Sequence, residues 1–225
     1  MVNKEEVWMD APKRNEAGSI KPLRKGTVRR QQIIEASIDI FYEHGYHKAS
    51  IRDISERMGI TKAAIYYHFR DKGEILYTIV DRATNELLVA FESALIEKKD
   101  PIENLRNLIL KQIYFLKSQR KKVKILVDDL KFLDGTYKKL IKDKQKTIFH
   151  LYRANLENLQ KQGKLRNFNV TTATFGIFGM INWLDHWFRP EKELSIEQVA
   201  EDIVNILLYG LLSEVPKRKS NPDQI

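Results

Sequence analysis

The 225-residue sequence contains no cysteine. Disulfide bonds, thiol nucleophiles and cysteine-based zinc sites are therefore excluded, and a reducing compartment, the cytoplasm, is expected. No apolar run reaches the roughly 18 residues that a membrane-spanning helix requires. The N-terminus is charged and lacks an apolar run, so no secretory signal is predicted.

The sequence also lacks the motifs of common catalytic sites. It has no glycine-rich phosphate loop, no nucleophile elbow and no helix with paired histidines. None of the five histidines pairs with another at i, i+4 spacing, and His44 and His47 lie on either side of Gly45. We therefore expect a protein that is not an enzyme, has no cofactor and binds no metal.

Positive charge, in contrast, is in excess. The chain has 39 lysine and arginine residues against 30 acidic residues, a formal net charge of +9. Residues 21–72 alone contain eleven basic and six acidic side chains. Such a local excess suits a polyanionic partner, and a hydrophobic content of 43% is enough for a sizeable core.

Residues 50–72 have the pattern of two short helices joined by a tight turn. Ser50 is a candidate N-cap, and Asp53 is placed to complete a capping box. Gly59 supplies the left-handed residue that ends the first helix. Thr61 caps the second helix, whose inward face carries Ile65 and Phe69, four residues apart. This layout is typical of a helix-turn-helix whose second helix reads DNA.

The outward face of the second helix has the chemistry for DNA contact. Small Ala63 allows close approach to base edges, and polar neighbours can donate to phosphates or bases. Lys72 stands near a helix start, where the helix dipole does not favour a cation, and a bound phosphate would explain its position. The same periodicity also fits two helices of an ordinary helical protein with a polar outer face.

Residues 41–72 resemble the DNA-binding domain of the TetR family of bacterial repressors. The matching residues are Phe41, Gly45, Tyr46, Ala49, Ser50, Ile51, Asp53, Ile54, Gly59, Ile60, Thr61, Ile65, Tyr66, Tyr67, His68, Phe69, Asp71 and Lys72. The family often has glycine where this chain has Ala63. The resemblance implies DNA contacts at Ser50, Arg52, Thr61, Lys62, Ala63, Tyr66, Tyr67, His68 and Lys72.

Helical periodicity continues to the end of the chain without a competing strand pattern, so an all-α fold is predicted. Four segments are expected: a flexible basic arm (1–25), a three-helix helix-turn-helix domain (26–72), a larger helical ligand-binding and dimerisation domain (73–215), and a polar tail (216–225). Residues 27–44, 71–98, 101–117, 136–162 and 171–188, and those from Ser195 onward, are predicted helices. The basic cluster of Arg120, Lys121, Lys122 and Lys124 is either a solvated helix start or a contact for an anionic ligand.

The last two predicted helices have faces suited to dimerisation. Residues 171–188 are apolar on most sides, and Gly176 and Gly179 permit close helix approach. The family uses its last two helices as a dimer interface, which implies a two-fold four-helix arrangement here. Two helix-turn-helix domains related by a two-fold axis would match a palindromic operator whose half-sites lie about 34 Å apart, which is one turn of DNA.

A narrower resemblance concerns a small-molecule effector. Residues 179–200 resemble the C-terminal segment of TetR-type regulators of fatty-acid, sterol and aromatic-acid breakdown, which respond to acyl-coenzyme A thioesters. Asn182, Trp183, Trp187, Phe188, Arg189, Pro190, Leu194 and Ser195 carry it. The candidate pocket residues are Phe115, Phe149, Tyr152, Arg153, Phe178, Asn182, Trp183, His186, Trp187 and Arg189. Arg153, Arg189 and Lys192 are candidates for the phosphates at its mouth.

The function expected from these features is a homodimeric repressor that an acyl-coenzyme A releases from its operator. One alternative is a TetR-type regulator of efflux with an aromatic pocket for lipophilic cations, although Asp185 is the one acidic residue among the aromatics. A more remote alternative is a protein that coats DNA without sequence preference.

Overall fold

A computed structural model describes residues 25–95, 100–189 and 194–213 of the chain. These residues form α-helices and no β-strand, so the all-α prediction is confirmed. The helices are α1 (Lys25–His44), α2 (Ile51–Met58), α3 (Lys62–Tyr66), α4 (Lys72–Leu95), α5 (Pro101–Ser118), α6 (Arg120–Asp129), α7 (Gly135–Lys161), α8 (Val170–Asn182), α9 (Leu184–Trp187) and α10 (Ile196–Leu211), with a 3₁₀ turn at Leu130–Phe132. The predicted arm (except Lys25), the tail, Pro190 and Lys192 lie outside the described residues.

One predicted helix is divided in the structure. The sequence predicted a single helix over residues 171–188, whereas α8 ends at Asn182 and α9 begins at Leu184. At the junction the backbone tightens, because the N–H of His186 donates to the carbonyl of Trp183, three residues back, at 3.0 Å. Apolar periodicity continues through such a 3₁₀-like turn, so the sequence pattern does not show it.

The described residues pack as two compact units that are not continuous in sequence. The first comprises residues 25–85 and 121–142, and the second comprises residues 86–95, 100–120, 143–189 and 194–213. The sequence-based division into residues 26–72 and 73–215 follows the chain in order. Packing instead groups α6 and the start of α7 with the helix-turn-helix.

Buried side chains explain why residues 121–142 belong to the first unit. Ile125, Leu133 and Ile141 are at most 2% exposed and lie in the same apolar cluster as Phe41 and Phe69. Burial of side chains of this size stabilises a fold by about 1.5–3 kcal/mol each.

The core of the second unit is formed by α5, α7, α8 and α10, and α5 packs mainly against α10. Its largest fully buried side chains include Tyr152 and Phe91, whose rings meet edge to face at 5.7 Å between centroids. No helix in the described parts of the chain is both long and apolar enough to span a bilayer.

Candidate nucleic-acid interface and ligand site

Local hydrogen bonds set the geometry of the helix-turn-helix. The Ser50 hydroxyl accepts from the N–H of Asp53 at 3.2 Å, while the Asp53 carboxylate accepts from the N–H of Ser50 at 2.8 Å. Gly59 ends α2 in the left-handed region at φ +63°. The Thr61 hydroxyl accepts from the N–H of Ala64 at 3.2 Å and caps α3. The predicted capping box, turn glycine and second cap are therefore confirmed.

The two faces of the segment around α3 differ sharply in exposure. Ile65 and Phe69 are 0% and 1% exposed and anchor the segment in the core of the first unit. Tyr66 is 53% exposed and Tyr67 85%, which is unusual for large aromatic side chains. Lys62 and Ala63 are also exposed, and His68 is partly buried with its ring edge to face against Tyr67. The outward set predicted from the sequence thus forms one solvent-facing surface.

The buried Phe69 ring is covered by Arg30. The guanidinium of Arg30 lies over this ring at 4.4 Å from the centroid, and Arg30 also approaches Glu74 at 3.7 Å. Asp71, two residues after Phe69, accepts from the N–H of Glu74 at 2.8 Å and caps α4. These contacts fix the direction in which the exposed tyrosines project.

Two other predicted DNA contacts lie at the start of α2. Ser50 is partly buried, and its hydroxyl serves the capping box. Arg52 is exposed and forms an ion pair with Glu56, one turn along the same helix, at 2.6 Å. A surface pair of this kind is weak, so a phosphate can compete with Glu56 for the guanidinium.

Lys72 has a structural role that the sequence did not reveal. Its ammonium donates to the carbonyls of Tyr46 at 2.8 Å and Ala49 at 2.7 Å, and lies over the Tyr46 ring at 4.2 Å. Burial lowers the pKa of Lys72, against the attraction of Asp129 and Asp53. Two of its three N–H donors are used in holding the loop between α1 and α2, which leaves one for a phosphate.

Replacing Lys72 by methionine should therefore destabilise the first unit even without DNA. The change keeps the length of the side chain but leaves two partly buried carbonyls without their charged donor, and we expect the free energy of unfolding to fall by about 2 kcal/mol. Urea unfolding followed by circular dichroism measures this. The matched control is Lys48→Met, because Lys48 is exposed in the same loop. Equal stability of the two variants would contradict the structural role.

Residues 121–142 hold the same loop from its other side. The Asp129 carboxylate accepts from the N–H of Tyr46 at 3.4 Å, and burial raises the pKa of Asp129. The Phe132 ring lies 5.6 Å from the rings of both Tyr46 and His47. The Tyr137 ring stacks on Tyr77 at 4.3 Å. The start of α2 is thus positioned by residues far away in the sequence.

The basic cluster at the start of α6 is engaged in ion pairs within each unit. Lys121 contacts Asp39 at 2.6 Å and Lys124 contacts Asp128 at 2.6 Å, both in the first unit. In the second unit Arg120 contacts Asp185 at 3.2 Å. An anionic ligand at this cluster would have to displace these carboxylates.

Only part of the predicted ligand pocket comes together in the interior of the second unit. The Phe178 ring lies 5.0 Å from Tyr152 and 6.3 Å from Phe149, and Phe175 adds a fourth ring, 5.0 Å from Phe149. Tyr152 is fully buried. Phe115 is partly buried. The rings of Phe149, Tyr152, Phe175 and Phe178 form an aromatic cluster between α7 and α8, in which Tyr152 is fully buried and Phe175 is 62% exposed.

The remaining predicted pocket residues lie at the surface. Trp183 and Trp187 are 59% and 47% exposed, and the His186 ring stacks on Trp183 at 4.1 Å. Arg153 forms an ion pair with Glu157 at 2.8 Å. The Arg189 guanidinium donates to the carbonyls that end α9, at 3.0–3.3 Å. Neither arginine lies among the buried rings.

The two tryptophans instead line an apolar groove on α8 and α10. The groove has a volume of about 550 Å³ and is open to solvent along one side. It is lined by Gly176, Gly179, Met180, Trp183, Trp187, Leu194, Val199, Asp202, Ile203 and Ile206. Neither glycine has another group within 4 Å of the position of an added Cβ, so both leave room for a second helix to approach.

Sequence reasoning missed two polar residues next to the aromatic cluster. Gln112 on α5 is 4% exposed and donates from its amide to the side-chain oxygen of Asn182 at 3.2 Å. Asn155 on α7 is 8% exposed. Each occupies a core position in the apolar stripe of its helix. Buried amides in such stripes are uncommon, so this position could have marked both residues as functional candidates from the sequence.

Two family models match the chain. The model of the N-terminal domain of bacterial regulatory proteins of the tetR family matches residues 33–78. The model of the tetracyclin repressor-like C-terminal domain matches residues 98–211, about half of the chain. Both families consist of regulators, and neither describes an enzyme.

Individual relatives agree in sequence and in fold. The repressor KstR2 of Mycobacterium tuberculosis is 22% identical over 188 residues, which cover 83% of this chain and 94% of KstR2. The structure of the TetR-family regulator PfmR of Thermus thermophilus is 30% identical, with a TM-score of 0.73, and the match covers 79% of this chain and 97% of PfmR. AibR, crystallised with isovaleryl coenzyme A and operator DNA, is 25% identical with a TM-score of 0.75, and the match covers 80% of this chain and 98% of AibR.

Proposed function

This chain belongs to the TetR family of DNA-binding transcriptional regulators, and we propose that it is a repressor that binds a palindromic operator as a homodimer. The protein dissociates from this operator when an acyl-coenzyme A thioester binds the second unit. The observation that carries the proposal is the surface around α3. Its exposed tyrosines have no fold-stabilising role that would account for them, whereas Ile65 and Phe69 beneath them are buried.

The DNA contacts proposed are those expected from the sequence. Tyr66, Tyr67 and Lys62 project from the recognition segment and are suited to phosphates or base edges. Ala63 leaves the helix surface low enough to approach the floor of a major groove. Ser50 and Arg52 are placed at the first turn of α2, whose N-terminal amides favour a phosphate.

The homodimer is supported by the apolar groove on α8 and α10. Ile206, Trp183 and Phe175 are each about 60% exposed, an arrangement that monomeric proteins avoid. A second copy related by a two-fold axis would cover the same groove with an identical face. The dimer then carries two helix-turn-helix segments, one for each half of a palindromic operator.

The thioester effector is supported by one relative and by the interior of the second unit. AibR binds isovaleryl coenzyme A. The aromatic cluster of Phe149, Tyr152 and Phe178 offers an apolar environment for an acyl chain. A regulator of cationic drugs would need a buried acid there, and the buried residues described in this unit include no aspartate or glutamate.

We expect the protein to bind DNA from upstream of its own gene and to release it with one of a series of acyl-coenzyme A thioesters. The effector should weaken operator affinity by about 5–150-fold, the usual range of allosteric coupling. Fluorescence anisotropy at fixed salt, with chain lengths from short to long, measures both steps.

A scrambled operator is the control for sequence preference. Equal affinity for scrambled and native DNA would indicate a DNA-coating protein instead. Specific binding that lipophilic cations release, and thioesters do not, would favour a regulator of efflux.

A further inference from the structure

We propose that the second unit recognises an uncharged, hydrogen-bonding part of its effector through Tyr152, Gln112 and Asn155. This inference rests on the effector response proposed above and specifies the chemistry that the interior accepts. The ligand class is a lipophilic molecule whose buried part carries both a carbonyl acceptor and at least one N–H or O–H donor, and carries no charge.

Three buried oxygens carry the inference. The Tyr152 hydroxyl and the side-chain oxygens of Gln112 and Asn155 are shielded from solvent, yet none has a hydrogen-bond partner among the described residues. Buried polar atoms are nearly always hydrogen-bonded in folded proteins, because an unpaired one loses its hydration without compensation. Three such atoms in one core therefore point to an external partner.

Contacts through α8 connect the three residues. Tyr152 and Asn155 are three residues apart on α7 and so share a face. The Tyr152 ring touches Phe178 on α8, and Asn182 follows Phe178 by one helical turn. Asn182 in turn accepts from Gln112 at 3.2 Å. A ligand lying along this side of α8 would meet all three oxygens.

The buried side chains described in the second unit are uncharged, which favours an uncharged ligand. Among the described residues of the second unit, the buried polar side chains are Gln112, Asn155, Thr174 and Tyr152, none of which is charged at neutral pH. Arg106 and Arg153 are only partly buried and form ion pairs with Glu201 and Glu157. A carboxylate or an ammonium brought into the core would thus lose its hydration without gaining a counter-ion.

The hydrogen-bonding pattern narrows the class further. Burial raises the pKa of Tyr152 well above its ordinary value, so its hydroxyl keeps its proton and can donate to a carbonyl. The two amide oxygens can only accept. An acyl thioester of pantetheine offers a thioester carbonyl and separate amide N–H groups, whereas a fatty alcohol offers a single hydroxyl group and a free fatty acid brings a carboxylate.

The test combines stability without ligand and affinity with ligand, using the full-length protein in the absence of DNA. Tyr152→Phe should leave the melting temperature of the free protein unchanged or raise it, because it removes a hydroxyl that lacks a partner. The same change should weaken binding of the preferred acyl-coenzyme A about tenfold in calorimetry, and Gln112→Met should act likewise. Thr174→Val is the control, since its buried hydroxyl already donates to the carbonyl of Val170 at 2.8 Å.

The probes separate the possible ligand chemistries. Octanoyl-coenzyme A, octanoyl-pantetheine, octanol, octanoate and tetraphenylphosphonium differ in donors and in charge, and other chain lengths are compared in the same series. Binding of the pantetheine thioester without its nucleotide supports recognition of the amide arm. Octanol, which has a hydroxyl but no carbonyl, should bind more weakly than the pantetheine thioester.

Three outcomes would overturn the inference. The first is a lower melting temperature of Tyr152→Phe without ligand, which would show that the hydroxyl is already bonded, for example to a structural water. The second is unchanged ligand affinity in both variants. The third is binding of octanoate or the cation in preference to every neutral probe. Operator binding by the wild-type protein is measured separately, so any of these results leaves the DNA-binding function intact.

Discussion

Replacing Ile206 by glutamate should convert the proposed dimer into a monomer that has lost its operator affinity. Ile206 is 59% exposed on α10 and lines the apolar groove, so the substitution does not disturb the core of its own protomer. In the proposed dimer it would bury a carboxylate without a counter-ion, one helical turn from Asp202. A monomer contacts one half-site, and affinity should fall about 1000-fold, towards the level of non-specific binding.

Sedimentation analysis measures the oligomeric state, and anisotropy at fixed salt measures operator binding. Val127→Glu is a matched control, because Val127 is 61% exposed on α6 in the first unit and outside the groove. The control should remain a dimer. A dimer of unchanged stability in the Ile206→Glu variant would place the interface elsewhere and leave the groove without its proposed occupant.

Replacing Phe69 by alanine should destabilise the first unit by about 3–5 kcal/mol, the usual cost of deleting a buried phenylalanine. The ring is 1% exposed, and the change also removes the surface on which the Arg30 guanidinium rests at 4.4 Å. We expect chemical unfolding of this unit at lower denaturant concentration and loss of operator binding. Effector binding by the second unit should persist, and calorimetry measures it independently.

Tyr67→Ala is the informative comparison, two residues away in the same segment. Tyr67 is 85% exposed, so its loss should change the free energy of unfolding by no more than about 0.5 kcal/mol. Operator affinity should nevertheless fall about tenfold or more, because the side chain lies on the proposed reading surface. If Tyr67→Ala bound DNA as tightly as the wild-type protein, the recognition surface would have to be reassigned.

The local architecture of the reading segment was predictable from the sequence because its causes are local. The capping box at the start of α2 is formed by Ser50 and Asp53, three residues apart, and Gly59 provides the left-handed backbone conformation that ends this helix. Inward packing of Ile65 and Phe69 follows from helical spacing alone. Each of these signals lies within a few residues of the structure that it specifies.

The position of Lys72 shows where local reasoning fails. The sequence places a cation in the first turn of α4, and a phosphate ligand would explain it there. In the structure the ammonium instead bonds to the carbonyls of Tyr46 and Ala49, more than twenty residues back. No local pattern encodes which distant carbonyls a flexible side chain will reach.

The candidate ligand residues fall into a buried group and a surface group, and local sequence patterns do not distinguish the two. Trp183 and Tyr152 are both aromatic residues at apolar helical positions, and periodicity treats them alike. Packing makes Trp183 part of an open groove and leaves Tyr152 fully buried. The buried amides of Gln112 and Asn155 gain significance only when their neighbours are known, because the same residues at exposed positions would bond to water.

The sequence by itself determined the all-α fold and the caps and turn of the helix-turn-helix, because these follow from contacts within one or two helical turns, and its motif spacing indicated the family. Tertiary structure alone decided that residues 121–142 pack in the first unit and that α8 and α10 present a groove. It also decided that the Tyr152 hydroxyl and the side-chain oxygens of Gln112 and Asn155 have no hydrogen-bond partner within the described parts of the chain. These features depend on contacts between residues that are far apart along the chain, and such contacts form only when separate apolar faces pack together and exclude water.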